Sequence, residues 1–168
     1  MNVILLSGGS GQRLWPLSNN IRSKQFIKIF KRSDGQFESM LQRTLRQIRS
    51  IDKDVSITVA TSKNQETILK KYIYDDISIS TEPCQRNTFP SIALAVAYLH
   101  DIKKIGLNEI VVVCPVDPYV NDDFFVTFKK LVEQVSYNFP LILMGINPTY
   151  PSEKYGYIMP SPILQGGV

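Results

Sequence analysis

Val3-Ile4-Leu5-Leu6-Ser7-Gly8-Gly9-Ser10-Gly11-Gln12-Arg13-Leu14-Trp15-Pro16-Leu17 carries the chain from four apolar residues directly into a glycine-rich loop. The apolar run has the length of a short buried strand. The glycines leave no Cβ to hold backbone N–H groups away from an anion. Arg13 lies inside the loop and Lys24 follows eleven residues later. The loop fits neither common phosphate motif: Gln12-Arg13-Leu14 replaces the third glycine of a dinucleotide loop, and no Gly-Lys-Ser/Thr closes it. An arginine with a lysine nearby suits a triphosphate whose charge shifts during transfer. An ordinary strand–helix turn is the plain alternative.

Outward from that loop, the pattern alternates between strand and helix periods. Residues 37–48 place apolar side chains at 37, 40/41, 44/45 and 48, a helical spacing with an Arg/Gln outer face. Residues 55–60 alternate β-branched positions and end at Thr61-Ser62, a strand followed by a helix cap. Residues 64–74 read as a helix and 77–80 as a short strand. Pro90 stands where a helix over 91–104 would begin, and Ala93, Ala95 and Ala97 would let that helix pack closely on a sheet. The continuous apolar run at 109–114 predicts a central parallel strand covered on both faces. A helix over 122–137 and another buried strand over 141–146 follow. Strands alternating with helices predict a doubly wound, mostly parallel α/β sheet. The nucleotide-binding core is expected to span 1–147, and the proline-punctuated segment 148–168 to leave it. That segment stops at Gly166-Gly167-Val168 without a closing element, the ending expected of an incomplete domain.

The bulk composition excludes several function classes. The 168 residues are 43% apolar and 20% charged, as in an ordinary single globular domain. No run approaches the roughly 18 apolar residues that span a bilayer, and no basic stretch precedes the first apolar run, so no membrane association and a cytoplasmic location are expected. The formal charge of +4 gathers partly at Arg22, Lys24, Lys28, Lys31 and Arg32, either a solvated loop or a basic rim for an anionic substrate. No basic–aromatic motif accompanies it, which argues against nucleic acid. Cys84 and Cys114 lack metal-ligand spacing, and the single histidine, His100, has no partners for a triad.

In a parallel α/β sheet, ligands bind beyond the carboxyl ends of the strands. Three polar segments fall there: the glycine loop, the loop 82–88 and Pro115-Val116-Asp117. Asp117 follows a buried strand, where a carboxylate can hold Mg²⁺ against phosphates or cap a helix. Glu82 can accept from the N1–H and N2–H₂ edge of guanine, with Arg86 and Asn87 beside it. A capped surface loop is the alternative for that segment.

Gly8 to Ser18, with Lys24-Gln25-Phe26, resembles the signature of the mannose-1-phosphate guanylyltransferases of the sugar-nucleotide pyrophosphorylase superfamily. Glu82-Pro83 with Arg86-Asn87-Thr88 is similar to that family's nucleotide loop, Pro115-Val116-Asp117 to its metal segment, and Tyr155-Gly156-Tyr157-Ile158 to its sugar motif. The resemblance implies a Rossmann-like, glycosyltransferase-A-like fold and transfer of GMP from GTP to mannose 1-phosphate, releasing pyrophosphate. It further implies that Gly8, Gly9, Ser10, Gly11 and Gln12 cradle the phosphates while Arg13 and Lys24 act in catalysis by neutralising charge. Glu82, Arg86, Asn87 and Thr88 would surround the guanine, Asp117 would bind Mg²⁺, and Gly156 and Tyr157 would lie near the sugar. A homodimer is kept open as the assembly. Ser23 replaces the family's proline before Lys24, Pro118 its histidine after the aspartate, and Ser152-Glu153-Lys154 its Glu-Thr-Gly. Another hexose or heptose 1-phosphate, another nucleotide, or a non-catalytic GTP-binding unit are the alternatives.

Overall fold

A central strand buried on both faces, β1 (Asn2–Leu6), anchors the sheet. The structure is a computed structural model that describes residues 1–9, 14–19, 23–74, 76–135, 139–153 and 155–159. β2 (Lys28–Lys31) and β3 (Phe37–Ser39) pair antiparallel, and α1 (Met40–Ile51) follows at once. Then come β4 (Ser56–Ser62), α2 (Lys63–Leu69), β5 (Ser78–Glu82), α3 (Thr88–Asp101), β6 (Val111–Pro115) and α4 (Asp122–Gln134). The sheet order is β5-β4-β1-β6, with every pairing parallel. Leu6 is level with both Ala60 and Pro115, and Ser62 with Glu82, so the carboxyl ends of all four strands lie along one edge.

Period-2 alternation divides the strands between two cores. Val3, Leu5, Ile57 and Val59 face Leu41, Leu45 and Ile48 of α1, Leu69 of α2, and Phe125 and Phe128 of α4. Ile4 and Ala60 face Ala95 and Leu99 of α3 on the other side. Helices on both faces make the sheet doubly wound, as the alternation of elements predicts.

Several local expectations are corrected. The apolar run 109–114 gives β6, but at the sheet's edge rather than its centre. α3 packs over β1, β4 and β5, which leaves Val113 37% exposed. Residues 141–146 form no strand, and Leu141, Leu143 and Ile146 are exposed while Met144 packs on the core. Apolar character alone does not make a strand, because the backbone needs a ladder partner and none of the described residues supplies one. Phe37–Ser39 belongs to the hairpin, and a capping box starts the helix instead: Ser39 Oγ accepts from the Gln42 amide and Gln42 Oε1 from the Ser39 amide. α3 begins two residues ahead of Pro90, which sits in the first turn, where an N–H has no intrahelical partner to lose. Of its alanines only Ala95 is buried, in a stripe with Ser91 and Leu99, while Ala93 and Ala97 face outward. α2 ends at Leu69, five residues short of the expected helix end, and β5 runs on to Glu82. Ser62 stands at the N-cap of α2 without making a cap bond, and the hydroxyl of Thr61 turns to the glycine loop.

Candidate nucleotide site

Sheet order fixes where a ligand can enter. From β1 the chain moves outward to β4 and β5, then returns to place β6 on the other side of β1. The reversal leaves a crevice at the carboxyl ends of β1 and β6. A cavity of about 400 Å³ opens there, lined by Ser7, Gly8 and Gly9 after β1, Lys24 and Gln25, Glu82 at the end of β5, and Pro115-Val116-Asp117 after β6. Gln85, Asn87 and Thr88 close the side nearest α3. The three polar segments expected to meet on one rim do meet.

The glycine loop is held from beneath by buried side chains. The Ser7 amide donates to the Ala60 carbonyl at 2.8 Å, continuing the ladder one step past β1. The Ser7 carbonyl accepts from Gln25 Nε2 and from Thr61 Oγ1, each at 3.1 Å. Gln25 Nε2 also reaches Ser7 Oγ at 3.0 Å and Gln65 Oε1 at 3.1 Å, and Gln65 Nε2 donates to the Gly9 carbonyl at 3.1 Å. Gln25 and Gln65 are 2% and 1% exposed. On the open side Gln85 Nε2 donates to the Gly8 carbonyl. The sequence reading assigned none of these glutamines a role. Lys24-Gln25-Phe26 carried the one signal for Gln25, and nothing local pointed to Gln65.

Asp117 owes its position to α1. Thr44 Oγ1 donates to the Val116 carbonyl at 3.2 Å, and Arg43 and Gln47 donate to the Val120 carbonyl at 2.8 and 3.1 Å. The Arg/Gln face expected to point outward therefore clamps the segment on both sides of Asp117. Arg43 also lies over the Tyr119 ring, which stacks on Phe30 of the hairpin. The helix-cap alternative for Asp117 fails, since Asn121 occupies the N-cap of α4. The carboxylate of Asp117 instead pairs directly with Lys24 Nζ, both residues lining the cavity. Three residues earlier, burial and then the charge of Asp117 push the Cys114 thiol up to about 12. Cys114 is a neutral packing group, neither nucleophile nor metal ligand.

Glu82 is buried, and a Cβ added at Gly8 would come within 3.4 Å of its Oε1. The carboxylate thus lies directly beside the first glycine of the loop. Asn87 occupies the N-cap of α3 at φ 69° without a side-chain cap bond, which removes the simple helix-cap reading of loop 82–88. Arg86 is exposed and does not line the cavity. Ser10, Gly11, Gln12 and Arg13 lie outside the described residues. Gly156 and Tyr157 are not brought to this cavity. Tyr157 lines a separate open hollow with residues 148–153, its hydroxyl accepting from the Ser152 amide at 2.6 Å and donating to the Ser152 carbonyl at 3.0 Å. His100 pairs with Asp101 on the surface, away from the cavity.

Two carboxylates and one ammonium face the cavity among its described lining residues, and no group of three metal-ligating side chains occurs among the described residues. Mg²⁺ keeps several waters and is commonly held by one or two carboxylates together with substrate phosphates. The donor set fits a divalent cation that arrives with a phosphate chain, not one caged by protein alone.

The sequence pattern of the nucleotidyl transferase family matches residues 2–165. The chain is 32% identical over 161 residues to a mannose-1-phosphate guanylyltransferase of Salmonella montevideo, covering 92% of this chain and 32% of the relative. It is 32% identical over 166 residues to a mannose-1-phosphate guanylyltransferase of Escherichia coli, covering 96% and 34%. Identity to the xanthan biosynthesis protein XanB of Xanthomonas campestris is 33% over 159 residues, covering 92% and 32%. The chain spans about a third of the length of these relatives. No helix among the described residues is long and apolar enough to cross a membrane.

Proposed function

The chain belongs to the nucleotidyl transferase family, and from that premise we propose that it forms the GTP-binding part of a mannose-1-phosphate guanylyltransferase. The observation that carries this reading is the meeting of Gly8, Lys24, Glu82 and Asp117 on one cavity at the switch point of the sheet. The reaction moves GMP from GTP to mannose 1-phosphate. A phosphate oxygen of the sugar attacks the α-phosphorus in line, the bond to the β-phosphate oxygen breaks, and pyrophosphate leaves. The attacking oxygen is already anionic, so positioning and charge neutralisation are the protein's tasks.

In this reading Gly8 and Gly9 approach the phosphates, with Ser10, Gly11 and Gln12 continuing the cradle. Lys24 neutralises charge from beside Asp117, and Arg13 does so from the loop. Glu82 accepts hydrogen bonds from N1–H and N2–H₂ of guanine, while Asn87 and Thr88 flank the base and Arg86 lies outside them. Asp117 would hold Mg²⁺, which when bound adds positive charge against the phosphates. The acidic excess of the described lining supports that need, because an anionic triphosphate would otherwise face two carboxylates with one lysine. Residues 1–147 form the nucleotide core, and 148–168, with Gly156 and Tyr157, begin the sugar-binding region.

Calorimetric titration of the chain with GTP and ATP, each with Mg²⁺, tests the assignment. GTP is expected to bind more tightly, and Glu82→Gln to erase roughly tenfold or more of that preference, since hydrogen bonds to a charged group are the stronger class. Equal affinities for the two nucleotides would overturn the guanine reading.

A further inference from the structure

The Ser7–Gly8 peptide unit is held in an unusually complete way. Its carbonyl oxygen has two lone pairs, and Gln25 Nε2 and Thr61 Oγ1 fill both at 3.1 Å. In a planar trans peptide the C=O of one residue and the N–H of the next point in opposite directions. Turning the Ser7 carbonyl toward Thr61 of β4 therefore turns the Gly8 N–H away from β4. With β1 between β4 and β6, that is the side on which Pro115, Val116 and Asp117 form one wall of the cavity. Gln65 locks the arrangement twice, accepting from Gln25 and donating to the carbonyl of Gly9.

We propose that Gln65, Thr61 and Gln25 are positioning residues for anion binding: they fix the carbonyls of Ser7 and Gly9 on the inner side so that Gly8 N–H is presented to a phosphate before any ligand arrives. Neither Gln65 nor Thr61 lines the cavity, so both act through the loop. A phosphate then meets a donor whose orientation is already set, which lowers the cost of ordering the Ser7–Gly8 peptide at the moment of binding. The inference rests on the nucleotide-site reading above and extends it to residues beneath the site.

A buried amide network can also serve stability alone, and a pair of ligands separates the two roles. Thr61→Val and Gln65→Met each remove loop-directed bonds at nearly constant volume. Calorimetry on these variants and the parent chain uses GTP with Mg²⁺ and, separately, guanosine, which keeps the base and lacks the phosphates. Positioning predicts that each variant loses about fivefold or more in GTP affinity while guanosine binding is unchanged. An unchanged GTP affinity, or equal losses for both ligands, would overturn the inference. Should Gln65→Met fail to melt cooperatively, Thr61→Val, which removes a single hydrogen bond, carries the comparison. A parent chain that binds guanosine and GTP equally overturns the phosphate-site reading itself, whatever the variants do.

Discussion

Ser23 holds φ −73° and ψ 165°, inside the range a proline ring imposes, and its buried Oγ has no hydrogen-bond partner among the described residues. The serine that departs from the family's proline thus keeps a proline-compatible backbone directly before Lys24. Ser23→Pro is expected to stabilise the chain by about 0.4–1 kcal/mol, because it restricts the unfolded state and sacrifices no hydrogen bond found among the described residues. Urea unfolding checks this: the midpoint should rise with an unchanged slope, and a fall would mean that the ring does not fit. Asn87 tells the opposite story. At φ 69° and ψ −168° it occupies a region that costs a residue other than glycine on the order of 1–3 kcal/mol. Such strain persists only where surrounding structure enforces it, and Asn87 faces the cavity.

Among the elements, α1 links stability to the site. Its apolar stripe of Leu41, Leu45 and Ile48 packs on the sheet, while Arg43, Thr44 and Gln47 grip the backbone on both sides of Asp117. The capping box at Ser39 satisfies amides of the first turn and sets where the helix begins. Ser39→Ala is expected to cost about 1 kcal/mol, within the 0.5–2 kcal/mol spread of such caps, read as a lower denaturant midpoint. α1 was legible as a helix from its spacing, but its polar face was misread as solvent-facing. Periodicity reports which side is apolar. It does not report that polar side chains one and two turns along will find a carbonyl 73 to 77 residues away.

At the scale of the whole molecule, the two cysteines provide a built-in comparison. Cys84 is exposed, whereas Cys114 sits in the larger core with its thiol pushed up to about 12. Labelling with a thiol-specific disulfide reagent at pH 8 should therefore proceed in two phases. One equivalent reacts at once, and the second only as fast as the core opens, accelerating through the urea transition. Two fast equivalents would show that the β6 side of the sheet opens independently of the rest.

By itself the sequence determined the local pieces: a buried first strand breaking into glycines, helices alternating with strands, and polar residues at the ends of β1, β5 and β6. Those features depend on side-chain period and on glycine's missing Cβ, which act over a few residues. Tertiary structure decided what depends on neighbours distant along the chain. Among the described residues it put the apolar run of β6 at the edge and gave 141–146 no strand partner, because a strand is completed by a partner rather than by hydrophobicity. It also placed Gln25, Gln65 and Thr61 under Ser7 and Gly9. The opening stretch shows a buried strand breaking into glycines, while the orientation of its peptides is set by residues 18 to 56 positions away, Thr61 and Gln65 being brought beneath it by the pairing of β1 with β4.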